Sequence, residues 1–132
     1  LGRKLLTHVG DVMRSGNDVP VVTADTDFST LMRAMGAKGL GCAVVVDDQR
    51  HVQGIFTDGD LRRCIEAGAE LRTATAGALM HAHPITIRVE ALAVDAAQLM
   101  ELHGITTVMA VDAADRLAGI VHIRDLMRAK VI

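Results

Sequence analysis

The spacing of apolar residues separates short strands from helices along this chain. Residues 42–46 (Cys-Ala-Val-Val-Val) are apolar throughout and rich in valine, which indicates a buried strand. Apolar side chains recur at helical spacing from Phe28 to Met35, and Thr26 or Asp27 can cap the start of that helix. The pattern therefore predicts a helix over residues 28–38.

The same patterns predict the remaining elements. Further strands are expected over residues 20–23, 51–56, 85–87, 106–111 and 116–121, and further helices over 57–67, 92–102 and 122–129. Residues 47–50 form a tight turn, Gly39 and Gly41 end one helix, and Gly68 closes another. Residues 1–9 are predicted to be the tail of a helix that arrives from upstream.

The chain contains an internal repeat. Residues 54–63 read Gly-Ile-Phe-Thr-Asp-Gly-Asp-Leu-Arg-Arg, and residues 119–128 read Gly-Ile-Val-His-Ile-Arg-Asp-Leu-Met-Arg, an offset of 65. Further upstream, residues 11–13 resemble residues 78–80 at an offset of 67. A repeat of this length is a supersecondary unit used twice. The sequence predicts an α/β (α+β) fold of two β-α-β-β-α repeats related by pseudo-twofold symmetry, with a ligand cleft between them.

Domain boundaries follow from the repeat. Residues 11–67 form the first repeat, residues 76–132 the second, and residues 68–75 the linker between them. Residues 1–10 are expected to be a linker from an absent upstream domain, since the chain begins at Leu1 rather than at methionine.

The composition argues against several classes of function. The net charge is −2, and Phe28 and Phe56 are the only aromatic residues, which is atypical of a nucleic-acid-binding surface. No apolar run approaches the roughly 20 residues of a membrane helix, and no export signal is visible. Cys42 and Cys64 are too few for a disulfide framework, so a cytoplasmic location is expected.

The sequence Thr57-x-x-Asp60 has two interpretations. It is a capping box, in which the two side chains satisfy free N–H groups at a helix start. It also suits a nucleotide, because a helix N-terminus and a hydroxyl favour phosphate while a carboxylate accepts hydrogen bonds from ribose hydroxyls. Gly59 leaves room for close approach. The second copy departs from this pattern, with His122 and Arg124 in place of Thr57 and Gly59, although Asp125 is retained.

Other candidate chemistry is weak. The pair His81 and His83 could hold a metal, but two histidines without a cysteine or carboxylate cluster are more often loop or ligand-lining residues. Both cysteines are expected to be small buried hydrophobes. No nucleophile–base arrangement is visible, so we expect no catalytic residue, no metal and no cofactor in this chain.

The repeat order and the Gly-x-x-Thr-x-x-Asp pattern at residues 54–60 resemble CBS domains, and two in tandem resemble a CBS pair. That resemblance implies pockets that join one repeat's motif to early strands of the other. The first pocket would contain Thr57, Asp60, Ile55, Gly59, His83, Ile85, Thr86, Ile105 and Thr106. A second, weaker pocket would contain Asp125, His122, Val21, Gly41 and Cys42.

The first motif, together with Leu-Gly-Arg-Lys-Leu-Leu at the start and Val-Gly-Asp-Val-Met at 9–13, further resembles the C-terminal half of D-arabinose-5-phosphate isomerases. Those proteins join an upstream sugar-isomerase (SIS) domain to a CBS pair and start the route to the bacterial sugar acid Kdo. The resemblance implies a non-catalytic regulatory module whose effector is CMP-Kdo or CMP, ahead of adenine nucleotides. A ligand-free dimerisation module is the alternative, and a homodimer or higher homo-oligomer without nucleic-acid or membrane partners is expected.

Overall fold

The structure is a computed structural model, and it describes residues 6–132. Its helices and strands follow one another in chain order: α1 (Val9–Val12), β1 (Val21–Val22), α2 (Phe28–Ala37), β2 (Cys42–Val46), β3 (Val52–Thr57), α3 (Asp58–Glu66), α4 (Ala76–Leu79), β4 (His81–Ala82), β5 (Thr86–Arg88), α5 (Ala93–His103), β6 (Thr107–Val111), β7 (Leu117–His122) and α6 (Ile123–Arg128). A 3-10 turn, Gly16–Asp18, follows α1. This mixture of two small sheets with helices confirms the predicted α+β class.

The chain divides into two compact units. The first-motif unit is Asn17–Pro84, and the second-motif unit combines Ile85–Ile132 with the described residues up to Gly16. In the first-motif unit the sheet has the order β1-β2-β3-β4, with β1 parallel to β2 and the other pairs antiparallel. In the second-motif unit β5 is parallel to β6, and β6 is antiparallel to β7.

Each unit receives an edge segment from a sequence region that the repeat assigns to the other copy. In the first-motif unit, β4 pairs with β3, with His81 opposite Ile55 and Ala82 opposite Gly54. In the second-motif unit, Arg14 forms an antiparallel bridge with Ile120 and exchanges two backbone hydrogen bonds with it, of 2.8 and 2.9 Å. The spatial units therefore differ from the sequence repeats by an exchange of their first segments.

Glycine makes this edge pairing possible. A Cβ atom at Gly119 would collide with the carbonyl oxygen of Arg14 and would lie 2.6 Å from the Met13 sulfur. A Cβ at Gly54 would lie 2.5 Å from the Met80 sulfur and 2.9 Å from the carbonyl oxygen of His81. Both strands thus need a residue without a side chain where the edge segment crosses them.

The hairpins are set by equivalent aspartates. Asp47 Oδ1 accepts backbone N–H groups of Gln49 and His51, at 2.9 and 2.8 Å. Asp112 Oδ1 accepts those of Ala114 and Arg116 in the second copy, at 2.9 and 3.0 Å. In both cases these bonds hold the pKa of the carboxyl below its ordinary value, because they favour the charged form. The side chains therefore fix the turn that returns the chain into β3 or β7.

Each unit has its own apolar core. Leu31, Val45 and Phe56 lie in the core of the first-motif unit. Val9, Val108 and Leu126 lie in the core of the second-motif unit, so the α1 segment is tied to that unit by burial as well as by hydrogen bonds. None of the described helices has the length and apolar character required to cross a membrane.

Most predicted elements are confirmed, with boundaries shifted by one or two residues. The predicted helix tail over residues 1–9 lies mostly outside the described residues. Where it is described it is wrong, because His8 forms a bridge with Leu92 and the helix begins only at Val9. The elements α1, α4 and β4 were not predicted, since two to four residues are too few to show a period. The pseudo-twofold relation and the repeat boundaries stay predictions.

We expect Gly119→Ala to destabilise the protein by about 1–3 kcal/mol, because the new methyl group would overlap the Arg14 carbonyl oxygen and the edge segment would have to move. The free energy of unfolding, measured in urea, checks this. Gly36→Ala is the matched control. Gly36 lies in α2 with no heavy atom within 4 Å of its would-be Cβ, so alanine there should stabilise by about 0.5–1 kcal/mol. Equal effects at the two positions would contradict the role given to the edge crossing.

Candidate functional site

The first motif lies where β3 enters α3, and both of its side chains form the capping box. Thr57 Oγ1 accepts the Asp60 N–H at 3.1 Å, and Asp60 Oδ2 accepts the Thr57 N–H at 2.9 Å. The Thr57 hydroxyl also donates to Asp60 Oδ2 at 3.0 Å. The helix start is thus satisfied locally, as the structural interpretation of the motif predicts.

The other carboxylate oxygen of Asp60, Oδ1, is hydrogen-bonded to an exposed arginine. Arg63 Nη2 donates to Asp60 Oδ1 at 2.6 Å, and the Arg63 side chain is 70% exposed. The Asp60 side chain keeps 17% of its surface accessible. An exposed ion pair contributes only about 0–1 kcal/mol, so a ligand can displace Arg63 from Oδ1 at small cost.

The surroundings of Gly59 are open. A Cβ there would meet only the Arg63 guanidinium at 3.5 Å and the Thr57 hydroxyl at 3.7 Å. Among the described residues no hydrogen-bond partner is found for the Gly59 N–H, whereas the Asp58 N–H donates to the Gly41 carbonyl oxygen at 2.9 Å. A ligand can therefore approach the start of α3 most closely at Gly59.

Gly41 and Cys42, predicted for the second pocket, lie beside the first motif within their own unit. Cys42 is opposite Thr57 in the β2–β3 register, and a Cβ at Gly41 would lie 2.5 Å from Asp58 Oδ2. Burial, and to a smaller extent the nearby Asp58 carboxylate, raises the pKa of the Cys42 thiol to about 11. The thiol is therefore protonated and serves as a small buried hydrophobe, as the sequence predicts.

The second motif is held differently. The Arg14 guanidinium, which comes from the edge segment, forms an ion pair with Asp125. Its Nε lies 3.1 Å from both carboxylate oxygens, and its Nη2 lies 3.0 Å from Oδ1. Asp125 Oδ2 also accepts the His122 N–H at 3.0 Å. The Asp125 side chain is only 7% exposed, so its two oxygens are enclosed by contacts inside the unit.

His122 caps α6 with a ring nitrogen. Its Nδ1 accepts the Arg124 backbone N–H at 3.0 Å. The pKa of His122 is lowered, first by burial and then by the Arg124 and Arg14 charges, while Asp125 acts in the opposite direction. His122 is therefore neutral at pH 7, and its Nδ1 is an acceptor. A phosphate beside the start of α6 would therefore not meet a positively charged imidazole at pH 7.

The other predicted site residues divide between the two units. Ile55, His83 and Val21 lie in the first-motif unit, while Ile85, Thr86, Ile105 and Thr106 lie in the second-motif unit. That they share a pocket stays a prediction. His83 has a backbone φ of 53°, in the left-handed region, as does Gly16 at the matching position of the first copy, with φ 58°. Histidine is a residue type that tolerates this conformation better than most.

Arg14 was not identified from the sequence as a site residue. The offset of 67 residues places it on His81, which lies opposite Ile55 as Arg14 lies opposite Ile120. That alignment was the signal available for its role. Within residues 6–132 no group of three or more His, Cys, Asp or Glu side chains is arranged to hold a metal ion.

Each unit also has an apolar groove at the equivalent place. One, of about 340 Å³, is lined by Met32, Met35, Gly36, Gly39, Gly41, Asp58 and Leu61. The other, of about 360 Å³, is lined by Ala97, Met100, Glu101, Ile105, Ile123 and Ile132. Most of the residues that line the two grooves come from equivalent helices of the two copies, so the chain presents two similar apolar surfaces.

Comparison with known proteins gives close relatives. The chain is 42% identical over all 132 residues to arabinose 5-phosphate isomerase KdsD of Pseudomonas aeruginosa. It spans 40% of the length of that relative.

Solved structures share the fold. Hypoxic Response Protein I, crystallised with two coordinated zinc ions, is 27% identical with a TM-score of 0.80, over 92% of this chain and 98% of that one. CBSX2 in complex with AMP is 24% identical with a TM-score of 0.81, over 95% and 96%. The CBS domain model matches residues 9–67 and again residues 76–132. The chain therefore belongs to the CBS domain family and carries two CBS domains in tandem.

Proposed function

We propose that this chain is the regulatory CBS pair of an arabinose-5-phosphate isomerase, and that it binds a ribonucleotide effector, CMP-Kdo or CMP, at the first motif. The observation that carries the proposal is 42% identity across the whole chain to a KdsD isomerase. The chain spans 40% of that relative, and we assign the isomerase chemistry to a part of the protein outside this chain. The chain itself would sense the effector and influence the attached enzyme.

Asp60 would hold the ribose. A carboxylate offers about four acceptor positions, and Asp60 Oδ2 is occupied by the capping box. Within residues 6–132 the hydrogen-bond partner of Oδ1 is the exposed Arg63 side chain, so Oδ1 is the oxygen that two neighbouring ribose hydroxyls would meet. The cap keeps the carboxylate fixed in place, which lowers the entropy lost on binding.

The phosphate would lie next to Gly59. The Thr57 hydroxyl donates to Asp60, so the donor toward a phosphate is the Gly59 N–H rather than that hydroxyl. The first turn of α3 also contains the carboxylates of Asp58 and Asp60, which repel a phosphate that comes too near. Arg63 is adjacent and can supply the opposite charge once it leaves Asp60.

Aliphatic residues would hold the base. Ile55 lies in β3, and Ile85 and Ile105 are half-buried residues that the family resemblance assigns to the same pocket. A pyrimidine needs less stacking surface than a purine, which suits a chain with two phenylalanines. CMP-Kdo is the activated product of the route that arabinose 5-phosphate enters, and His83 could meet its carboxylate. CBSX2 was solved in complex with AMP, so adenine nucleotides are the competing class of ligand.

A second function, self-association, is favoured by the apolar surfaces. Ile65 in α3 and Met127 in α6 are 61% and 57% exposed. Both residues lie on helices, α3 and α6, that also line the two grooves. We therefore propose a homodimer in which the exposed apolar faces of these two helices are buried. Leu126, the neighbour of Met127 in α6, is fully buried in the core and does not take part. Without a ligand the module would still serve dimerisation.

Asp60→Ala should weaken nucleotide binding by about 1–3 kcal/mol, or roughly 5- to 150-fold, because charged acceptors for the ribose are lost. Asp125→Ala should change it less, and calorimetric titration measures both. Asp27→Ala is the control, since Asp27 caps α2 by accepting the Thr30 N–H at 2.8 Å and its loss removes a helix cap without touching the motif. Equal losses of affinity for Asp60→Ala and Asp125→Ala would refute the assignment.

Cytidine and adenine nucleotides should separate in thermal-shift titrations. A ligand present at 100 times its dissociation constant adds about 2.7 kcal/mol to the free energy of unfolding. We expect stabilisation by CMP-Kdo and CMP at lower concentrations than by AMP or ATP. Stabilisation by adenine nucleotides alone would disprove the product-sensing proposal, and no response to any nucleotide would favour the dimerisation module.

Ile65→Asp combined with Met127→Asp should convert a dimer into a monomer, because two charges would be buried in an apolar contact. Sedimentation equilibrium at micromolar concentration measures the mass. Leu102→Asp is the matched control, since Leu102 is 77% exposed but lines a separate groove of the second-motif unit. A monomeric unsubstituted protein, or a dimer that survives the double substitution, would argue against this interface.

A further inference from the structure

We propose that Arg14 is a built-in occupant of the second motif, which takes up the Asp125 carboxylate that a ligand would otherwise use. The inference rests on the proposed nucleotide binding for the chemistry of the ligand. It makes a separate claim about this chain: the second copy is closed by one arginine, and removing that arginine opens a further binding site.

The Arg14 guanidinium is hydrogen-bonded to both oxygens of the Asp125 carboxylate. Arg14 Nε donates to both oxygens of Asp125 at 3.1 Å, and Nη2 lies 3.0 Å from Oδ1. The His122 N–H takes a further position on Oδ2. With 7% of the Asp125 side chain exposed, an incoming hydroxyl would have to displace a partly buried, bidentate guanidinium.

The first copy lacks this occupant although its motif aspartate is equivalent. Asp60 meets an arginine from its own helix, and Arg63 approaches from solvent with 70% of its side chain exposed. His81 lies at the position on the edge segment that Arg14 fills in the other unit, since it is paired with Ile55 as Arg14 is paired with Ile120. On the edge segment, therefore, the two copies differ by arginine in one and histidine in the other at one structural position.

This gives a reciprocal pair of substitutions. Arg14→Met keeps an unbranched apolar side chain about as long as the aliphatic stem of arginine and removes the charge that holds Asp125. His81→Arg puts an arginine at the position equivalent to Arg14, from which we expect its guanidinium to reach Asp60. The proposal predicts that the first substitution adds one binding site per chain and that the second removes one.

The experiment is isothermal titration calorimetry with CMP, and with AMP in parallel, on the dimer or monomer as purified. We expect the number of sites per chain to rise by one in Arg14→Met relative to the unsubstituted chain. Arg14→Gln serves as a second opening variant, because its amide can still donate one hydrogen bond to Asp125 and so limits the loss of stability. Circular dichroism confirms that each variant is folded.

Two controls separate the opening of the site from the loss of any arginine. Arg14→Met combined with Asp125→Asn should return the number of sites to that of the unsubstituted chain, because the charged acceptor is gone. Arg63→Met removes an arginine that contacts the other motif aspartate from solvent, and it should not add a site.

The outcomes distinguish this inference from the proposed function. An unsubstituted chain that binds no nucleotide contradicts the proposed function, yet a site that appears in either opening variant still supports the role of Arg14. An unchanged number of sites in both opening variants overturns the inference. It is also overturned if the unsubstituted chain binds two nucleotides with Arg14 in place, or if His81→Arg leaves an existing first site intact.

Discussion

The close crossing of an edge segment over a glycine is the contact on which the rest of each unit depends. Gly119 and Gly54 admit the carbonyl oxygens of Arg14 and His81, together with the side chains of Met13 and Met80, where any Cβ would collide with them. The crossing completes the sheet edge, with position 14 opposite Ile120 and position 81 opposite Ile55. In the second-motif unit it also brings the Arg14 side chain onto Asp125, which is the contact that the proposed closure of that motif uses.

The motif aspartate has a structural and a proposed chemical role, and the two roles use different oxygens. Asp60 Oδ2 closes the capping box, so replacement of Asp60 loosens α3 whether or not a ligand exists. Oδ1 makes no contact with the cap and has an exposed arginine as its neighbour. The capping interpretation and the ligand interpretation of Thr57-x-x-Asp60 are therefore compatible, because the cap orients the carboxylate that the ligand would meet.

Local patterns predicted what local forces decide. The strand Cys42–Val46 was predicted with its exact bounds, and the caps at Asp27 and Thr57 follow from contacts three residues apart. The sequence could not supply the partner of Asp125, because Arg14 lies 111 residues away and reaches it only through an exchange of segments between the copies. The four-residue helices that start this exchange, α1 and α4, are too short to leave a periodic pattern.

The two copies show how one repeat can acquire two uses with few substitutions. The second copy replaces Thr57 by His122, whose Nδ1 still caps the helix as a neutral acceptor, so the fold is kept while a hydroxyl is lost. Arg14 then neutralises Asp125 and ties the segment that begins the chain's described part to the last strand and helix. The Asp125 side chain is 7% exposed and the Arg14 side chain 25%, so breaking this partly buried pair costs more than the about 0–1 kcal/mol of the exposed Arg63–Asp60 pair. The Arg14–Asp125 pair stabilises the second-motif unit, and the weakness of the Arg63–Asp60 pair fits the proposed exchange of Arg63 for a ligand.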